Sequence, residues 1–137
     1  MAGNYWILKT EPSDYSWSDL VRDKRTAWTG VRSAPAQKHL RSVAKDDEIL
    51  IYHTGSERAI VGLARVVRAP YPDPSAPDGK YVTVDVAPVR PVAHQLTLGD
   101  IKADPAFREL ALVRMGRLSV VPVTPAQWKR LIELASG

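Results

Sequence analysis

Residues 5–12 read Tyr-Trp-Ile-Leu-Lys-Thr-Glu-Pro, and this stretch predicts how the fold begins. Its apolar first half predicts a strand, which we place at residues 4–9. The final proline stops that strand, because proline has no N–H for a sheet ladder and biases Glu11 toward an extended or turn conformation. We therefore expect the strand to deliver Lys9, Thr10 and Glu11 to one place, where a cation, a hydroxyl and a carboxylate stand together.

Two further clusters of polar and aromatic residues follow, at residues 28–33, Trp-Thr-Gly-Val-Arg-Ser, and at the pair Tyr52 and His53. A donor, an acceptor, an aromatic face and a cation gathered in one place suit a planar, anionic ligand, and a nucleotide has that character. Each cluster taken alone is equally consistent with a strand end, a turn or the edge of the core. His53 is equally consistent with a hydrogen-bonded strand end and with a donor in a pocket.

The composition is typical of a soluble globular protein, with 45% hydrophobic and 25% charged residues. The 137 residues suffice for one domain with its own core, and we treat 1–137 as that domain. No apolar run approaches the roughly 20 residues needed to cross a bilayer. Because there is no cysteine, disulfides and Cys-based zinc sites are excluded, and we expect a cytoplasmic location. The net charge of +4 and pI of about 9.5 permit a nucleic-acid partner without requiring one.

Capping and periodicity signals predict short helices between strands. Ser16, Thr97 and Thr124 each begin a capping-box pattern, so a helix is expected at each. The predicted helices cover 16–23, 34–44, 97–102 and the residues after Thr124, and the later strands cover 48–52, 59–67, 81–89 and 118–123. Residues 70–79 contain four prolines and a glycine, which predicts a long, stiff loop between two strands.

Five or six strands with short interspersed helices and no βαβ regularity predict an α+β fold. The strand count and spacing suit a small, strongly bent barrel with helices packed around it. At one end of such a barrel we expect the polar strand ends and the loop aromatic to converge on a single cavity.

Residue types that carry metal or covalent chemistry are sparse. The three histidines, His39, His53 and His94, lie in different segments and none has a metal-binding spacing, so no metal and no cofactor are expected. The chain also lacks a G-x-S-x-G elbow and a P-loop. We therefore expect a protein that binds its ligand without catalysing a reaction.

The other acidic residues have the character of turn residues. Residues 46–48, Asp-Asp-Glu, lie between a predicted helix and a predicted strand, where solvated turn residues are expected. Asp73, Asp78 and Asp85 receive the same interpretation. We therefore assign none of these carboxylates to a site.

A family resemblance runs through these same segments, from about residue 4 to residue 134. Residues 5–12, 15–17 and 28–32 resemble the opening signature of the EVE domain, and residues 52–53 with 60–64 resemble its central strands. Residues 69–74 resemble its proline loop, and residues 117–120 with 122–124 resemble its closing segment. Ordered motifs over nearly the whole chain are a specific signal.

The resemblance implies a PUA-like fold, that is, a curved mixed β-barrel of five to six strands flanked by short helices. This fold is similar to the YTH and SRA-type domains, which hold a modified base in a pocket, and it implies that the chain reads modified bases in DNA or RNA. The family commonly has Asn at the position of Ser33. Serine keeps a hydroxyl there but lacks the amide that pairs with a base edge.

The resulting hypothesis is a nucleic-acid-binding module that holds a modified base, such as a methylated one, in an aromatic and polar pocket. Trp28 would offer a stacking face, Tyr52 or Trp6 another wall, and Glu11 an acceptor for an exocyclic amine. The predicted base-binding residues are Lys9, Thr10, Glu11, Trp28, Val31, Ser33, Tyr52 and His53, and the predicted phosphate-binding residues are Arg32, Lys38 and Arg117. The expected partner is DNA or RNA with a modified or unpaired base, bound by a monomer without a membrane or a metal.

Two alternatives of other classes remain open from the sequence. The same pocket would serve an enzyme acting on nucleotides or RNA, with Glu11 or His53 as acid or base. It would equally serve a module that binds a protein or a small anionic metabolite. Arg117, placed just before a strand, is equally consistent with an ion pair.

Overall fold

A six-stranded mixed sheet organises the structure, a computed structural model that describes residues 4–76 and 78–136. The strands are β1 (Tyr5–Thr10), β2 (Thr26–Ala27), β3 (Glu48–His53), β4 (Ala59–Pro72), β5 (Val82–Thr97) and β6 (Val120–Val123). They lie in the order β2-β5-β4-β3-β1-β6, with β1 and β3 parallel and the other neighbours antiparallel. The predicted α+β class, with six strands and flanking short helices, is confirmed.

The sheet is strongly curved but its strand ladder does not close. The pairing of β4 with β5 shifts register at four places between Ile60 and Tyr71, and such bulges bend and twist a sheet. Across residues 4–76 and 78–136, β2 and β6 have no strand on their outer sides. The expectation of a barrel is therefore correct for the curvature and wrong for the closure.

Within the described residues, five short helices flank the sheet, namely α1 (Trp17–Asp23), α2 (Ala34–Leu40), α3 (Leu98–Ala103), α4 (Ala111–Arg114) and α5 (Pro125–Ala135). The predicted capping boxes at Ser16, Thr97 and Thr124 are all present. The sequence patterns missed β2, α4 and a single 3-10 turn at Pro105–Phe107, because each is too short to carry a periodic signal. The predicted second helix also ends at Leu40, before residue 44.

The proline-rich segment differs from its prediction. β4 continues through Pro70 to Pro72, so the loop is confined to the residues between β4 and β5. Prolines are tolerated here because the register shifts between Arg68 and Tyr71, where the ladder needs no continuous N–H donors.

Asp47 is buried, which contradicts its prediction as a solvated turn residue. Its carboxylate accepts the indole N–H of Trp6 at 2.9 Å and the backbone N–H groups of Asn4 and Ala44 at 3.0 and 2.8 Å. The turn before β3 folds against β1, and the buried carboxylate satisfies three donors there. Trp6 is consequently a core residue and not a wall of a pocket, while Asp46 is exposed as predicted.

Asp85 is buried as well, although alternation along β5 places it on the outer face. Tyr71 donates its hydroxyl to this carboxylate, and Arg25 donates from its guanidinium at 2.8 Å. The side chains of Tyr71 and Arg25 cover the outer face of β5 at Asp85, so both faces of the strand are shielded from solvent there. Asp78 remains exposed, in agreement with its prediction.

Trp17 docks α1 onto the sheet through a close approach to Gly62 of β4. A Cβ atom at Gly62 would overlap the indole ring, so only glycine leaves room for it. The backbone N–H of Trp17 also donates to Nε2 of His53 at 3.0 Å. The two contacts fix the start of α1 beside the end of β3 and the start of β4.

Replacement of Gly62 by alanine tests this docking. We expect Gly62→Ala to lower the free energy of unfolding by about 1–3 kcal/mol, the usual cost of overpacking a core. Gly99→Ala is the control, because its Cβ would meet its nearest neighbour at an ordinary 3.7 Å. Urea unfolding of both variants measures the effect, and equal stabilities would contradict the assigned role of the glycine.

Candidate functional site

A cavity of about 480 Å³ lies between the two edges of the open sheet, within the size range of ligand pockets. One wall is β2 with the loop that follows it, and the other is the end of β1 with the segment that precedes β6. The lining residues are Lys9, Thr10, Glu11, Asp14, Tyr15, residues 26–33, Arg117 and Ser119. The cavity thus occupies the gap where the ladder fails to close.

Most of the residues proposed from the sequence meet at this cavity. Those that line it are Lys9, Thr10, Glu11, Trp28, Val31, Arg32, Ser33 and Arg117. Tyr52, His53 and Lys38 do not line it. Their predicted contacts with a ligand in the same cavity therefore have no support from the geometry.

Tyr52 and His53 end β3, which is separated from the gap by β1. Tyr52 lines a smaller neighbouring cavity, and the ammonium of Lys9 lies 5.8 Å from its ring centroid. His53 is buried, with Nε2 accepting from Trp17 and Nδ1 lying 3.2 Å from the Glu57 carboxylate. Because Nε2 accepts, Nδ1 carries the hydrogen and donates to Glu57. His53 is explained as a buried strand-end residue.

Lys38 lies on the exposed face of α2, five residues after Ser33, which caps that helix. The hydroxyl of Ser33 accepts the backbone N–H of Ala36 at 3.3 Å and so caps this helix. The serine therefore has a structural role at the rim of the cavity, since serine is one of the residues preferred at a helix N-cap.

Two aromatic rings form perpendicular walls inside the cavity. Trp28 and Tyr15 meet edge to face, with ring centroids 6.2 Å apart and an interplanar angle of 88°. The backbone N–H of Trp28 donates to the carbonyl of Val84 at 2.8 Å, which anchors the wall to β5. Trp28 is 9% exposed, so the protein fixes its ring before any ligand arrives.

The end of β1 supplies the polar side of the cavity. Thr10 donates its hydroxyl to the carbonyl of Tyr15 at 2.7 Å. The Glu11 carboxylate accepts from the N–H and hydroxyl of Ser13 and from the hydroxyl of Thr54, at 3.1–3.3 Å. A carboxylate has about four acceptor positions, so these bonds leave roughly one of them unused.

Lys9 ties this strand end to the turn before β6. Its ammonium donates to the carbonyl of Gly116 at 2.9 Å, and its burial lowers the pKa of the lysine. The side chain therefore joins the two parts of one cavity wall, the end of β1 and the segment that precedes β6.

Asp73 anchors the loop that carries Trp28 and Arg32. One carboxylate oxygen accepts the backbone N–H and the hydroxyl of Ser75, at 2.7 and 2.6 Å. The other accepts the backbone N–H of Gly30 at 3.0 Å and the Arg32 guanidinium at 3.1 Å. Burial alone would raise the pKa of this carboxyl, but the hydrogen bonds from Ser75, Gly30 and Arg32 outweigh it and lower the pKa to about 2.

Asp73 was predicted to be a solvated turn residue, and that prediction is wrong because the side chain is buried. Its bond to Ser75 is the local turn that the sequence indicates. Its bonds to Gly30 and Arg32 reach more than 40 positions back along the chain, and no local pattern signals them. Gly30 has φ of +86°, a conformation that favours glycine and turns its N–H toward the carboxylate.

The two arginines that line the cavity differ in the hydrogen bonds and ion pairs that they make within the protein. Arg32 donates to Asp73 and Ser75, and its guanidinium lies 4.7 Å from the ring centroid of Tyr81. Arg117 is exposed and makes no hydrogen bond or ion pair with the part of the chain that the structure describes. Arg117 is therefore the better placed of the two to meet an external anion.

The sequence-based prediction missed six side chains of the lining, namely Asp14, Tyr15, Thr26, Ala27, Thr29 and Ser119. Tyr15 and Thr29 lie within three or four residues of predicted site residues, so proximity along the chain was an available signal. Thr26 lies on β2, and Ser119 directly precedes β6. Only the order of the strands in the sheet brings these two residues to the same cavity. Among the described residues, no group of three His, Asp or Glu side chains is arranged to hold a metal ion, and no helix is long and apolar enough to span a membrane.

An open, curved sheet with an aromatic and polar cavity in its gap defines a small domain of the PUA-like type. The model of the EVE domain matches residues 4–134, and the chain belongs to this family. Thymocyte nuclear protein 1 of Mus musculus is 30% identical over 96% of this chain and 73% of its own length.

Solved structures agree with this assignment. A Rhodopseudomonas palustris protein solved by NMR has 38% identity and a TM-score of 0.92, over 96% of this chain and 92% of its own. The human THYN1 protein, solved in complex with DNA containing 5-methylcytosine, has 26% identity and a TM-score of 0.90 over 98% of each chain. An ASCH protein of Zymomonas mobilis, at 11% identity and a TM-score of 0.61 over 96% of this chain and 95% of its own, shares the fold.

Removal of the Asp73 charge tests the anchor of the cavity wall. We expect Asp73→Asn to lower the free energy of unfolding at pH 7 by about 2 kcal/mol or more, because the ionised carboxylate is stabilised in the folded state. A depressed pKa stabilises the fold above the unfolded value of 3.8, and this contribution is lost as the pH falls toward about 2. The difference between wild type and variant should therefore shrink over that interval. Urea unfolding at a series of pH values measures it, and a difference independent of pH would refute the assignment.

Proposed function

We propose that this chain is a nucleic-acid-binding module that holds a modified base in the cavity, with 5-methylcytosine in DNA as the first base to test. The cavity carries the proposal, because it combines fixed aromatic walls with polar strand ends in the gap of the sheet. The human THYN1 protein, which aligns with 98% of this chain, is solved with DNA containing 5-methylcytosine. That relative supports both the ligand class and the modification.

Stacking would provide most of the base affinity. Trp28 presents a flat, pre-ordered ring, and a base stacked on an aromatic side chain gains about 1–3 kcal/mol. Val31 lines the same cavity and is 7% exposed, so it offers apolar contact to a methyl group. Burial of one methyl adds about 0.8 kcal/mol, which is roughly a fourfold preference over cytosine.

Polar groups at the end of β1 would read the base edge. The remaining acceptor position of Glu11 suits an exocyclic amine, which cytosine and adenine have and thymine lacks. Thr26, Thr29 and Ser119 add hydroxyls that both donate and accept. Arg117 would meet the phosphate, because its guanidinium is exposed at the rim of the cavity.

We further infer that the module binds without chemical turnover. A residue that acts as a general base must reach the proton that it removes from the ligand, and His53 does not line the cavity. Glu11 lines it, but Ser13 and Thr54 already hold its carboxylate. Both residues are thus accounted for by hydrogen bonds within the protein. Product formed from a 5-methylcytosine oligonucleotide by the wild type, and lost in Glu11→Gln, would contradict this inference.

Trp28→Leu tests the stacking wall while keeping an apolar side chain in a mostly buried position. We expect about tenfold weaker binding of a single-stranded DNA with one central 5-methylcytosine, and little change for the same strand with an abasic centre. Trp128→Leu is the matched control, because it is 7% exposed but lies on α5, outside the cavity. Fluorescence anisotropy titrations decide the outcome. Equal losses in both variants would point to general destabilisation and not to stacking.

Arg117→Ala tests the phosphate contact through salt dependence. Loss of one phosphate contact lowers the slope of log K against log salt by about 0.7 for a single strand, and weakens modified and plain strands alike. Arg90→Ala is the control, because Arg90 is exposed and lies outside this cavity. Arg32→Ala should mainly reduce stability, since it removes a partner of buried Asp73. If Arg32→Ala reduces the slope as much as Arg117→Ala, the distinction between the two arginines is wrong.

A further inference from the structure

A second cavity of about 380 Å³ adjoins the first one. It is lined by Ser33, Pro35, Met115, Gly116, Arg117 and Leu118, and we call it the Met115 groove. Ser33 and Arg117 line both cavities, so these two side chains form the boundary between them. The proposed base site therefore continues into a neighbouring space.

The Met115 groove differs in chemistry from the cavity beside it. Pro35, Met115 and Leu118 make its walls apolar, and Met115 is 49% exposed at the end of α4, where the turn before β6 begins. A thioether and a proline ring make favourable contacts with the face or edge of an aromatic ring. The groove thus suits a flat, apolar surface without a specific pattern of hydrogen bonds.

We propose that the Met115 groove holds the nucleotide adjacent, along the same strand, to the one whose base enters the main cavity. This inference rests on the proposed function, and it adds a second nucleotide to the site. One phosphodiester joins two consecutive nucleotides, and one exposed guanidinium, that of Arg117, stands at the boundary between the two spaces. The cation therefore lies between the two spaces, as a phosphodiester lies between two consecutive nucleotides.

Both sides of the groove are fixed within the protein. Ser33 caps α2 through its bond to the N–H of Ala36, which sets the side that carries Pro35. The Lys9 ammonium binds the carbonyl of Gly116 at 2.9 Å, which sets the turn that carries Met115. A preformed groove loses little conformational freedom when it is filled, and such sites bind more effectively than flexible ones.

Abasic substitutions in a short single strand test the proposal. The probes are a DNA heptamer with a central 5-methylcytosine, and the same heptamer with an abasic nucleotide at the centre, immediately 5′ of it, or immediately 3′ of it. We expect the central abasic strand to bind most weakly, and one of the two flanking abasic strands to lose about five- to tenfold, the range of a sulfur–aromatic contact with apolar burial. The other flanking substitution should have little effect, because the strand enters with one polarity.

Met115→Ala, measured with the intact and the abasic strands, completes a double-mutant cycle between the protein and the DNA. It should weaken binding of the intact heptamer by a similar factor and leave binding of the sensitive abasic strand unchanged. Val89→Ala is the matched control, because it is 51% exposed but lies on β5 outside the groove, and it should behave as the wild type.

The outcomes separate this proposal from the proposed function. If the central base matters but neither flanking base does, and Met115→Ala binds like the wild type, the base site stands and the second subsite is refuted. If Met115→Ala weakens only duplex binding, Met115 acts as a wedge between base pairs and the subsite is again refuted. If even the central abasic strand binds as well as the intact one, the proposed function itself fails.

Discussion

The two edge strands of the sheet, β2 and β6, stay apart, and the position of the cavity depends on that separation. β2 has only two residues before the chain turns away at Gly30, and β6 contains Pro122, which has no N–H to offer to a further strand. A closed ladder would fill the gap with backbone hydrogen bonds. In the open sheet, the same gap is lined by side chains that differ in charge, polarity and aromatic character.

Buried carboxylates tie distant parts of the chain together, and one of them, Asp73, does so at a wall of this gap. Asp73 joins the loop after β2 to the turn after β4, and Asp47 joins the start of β1 to the turn before β3. In both cases one carboxylate collects donors from distant parts of the chain, which a neutral side chain of similar size cannot do as strongly. The loop that carries Trp28 is therefore positioned without a contribution from a ligand.

Local sequence patterns predicted which strand ends and turns line the cavity. They did not predict which neighbouring residues lie outside it. The end of β1 at Glu11 and the turn at Gly30 are set by proline and glycine, so their site residues were found directly. Tyr52 has the same strand-end character, but the order β3-β1-β6 leaves it on the far side of β1. Strand order arises from pairing over long distances, and neither periodicity nor capping encodes it. The burial of Asp73 was missed for the same reason, since its distant partners come from another part of the chain.

The pairing of β1 with both β3 and β6 also has a consequence during protein synthesis. Tyr5 pairs with Glu48 on one side and with Val123 on the other, so its second partner is synthesised more than 100 residues after it. At 5–20 residues per second, the delay is on the order of ten seconds. During that time an apolar strand presents an unpaired edge, which is the feature that promotes aggregation of partly folded chains. The nascent chain is thus most vulnerable between the emergence of β3 and that of β6, and assistance by a chaperone would matter most in that interval.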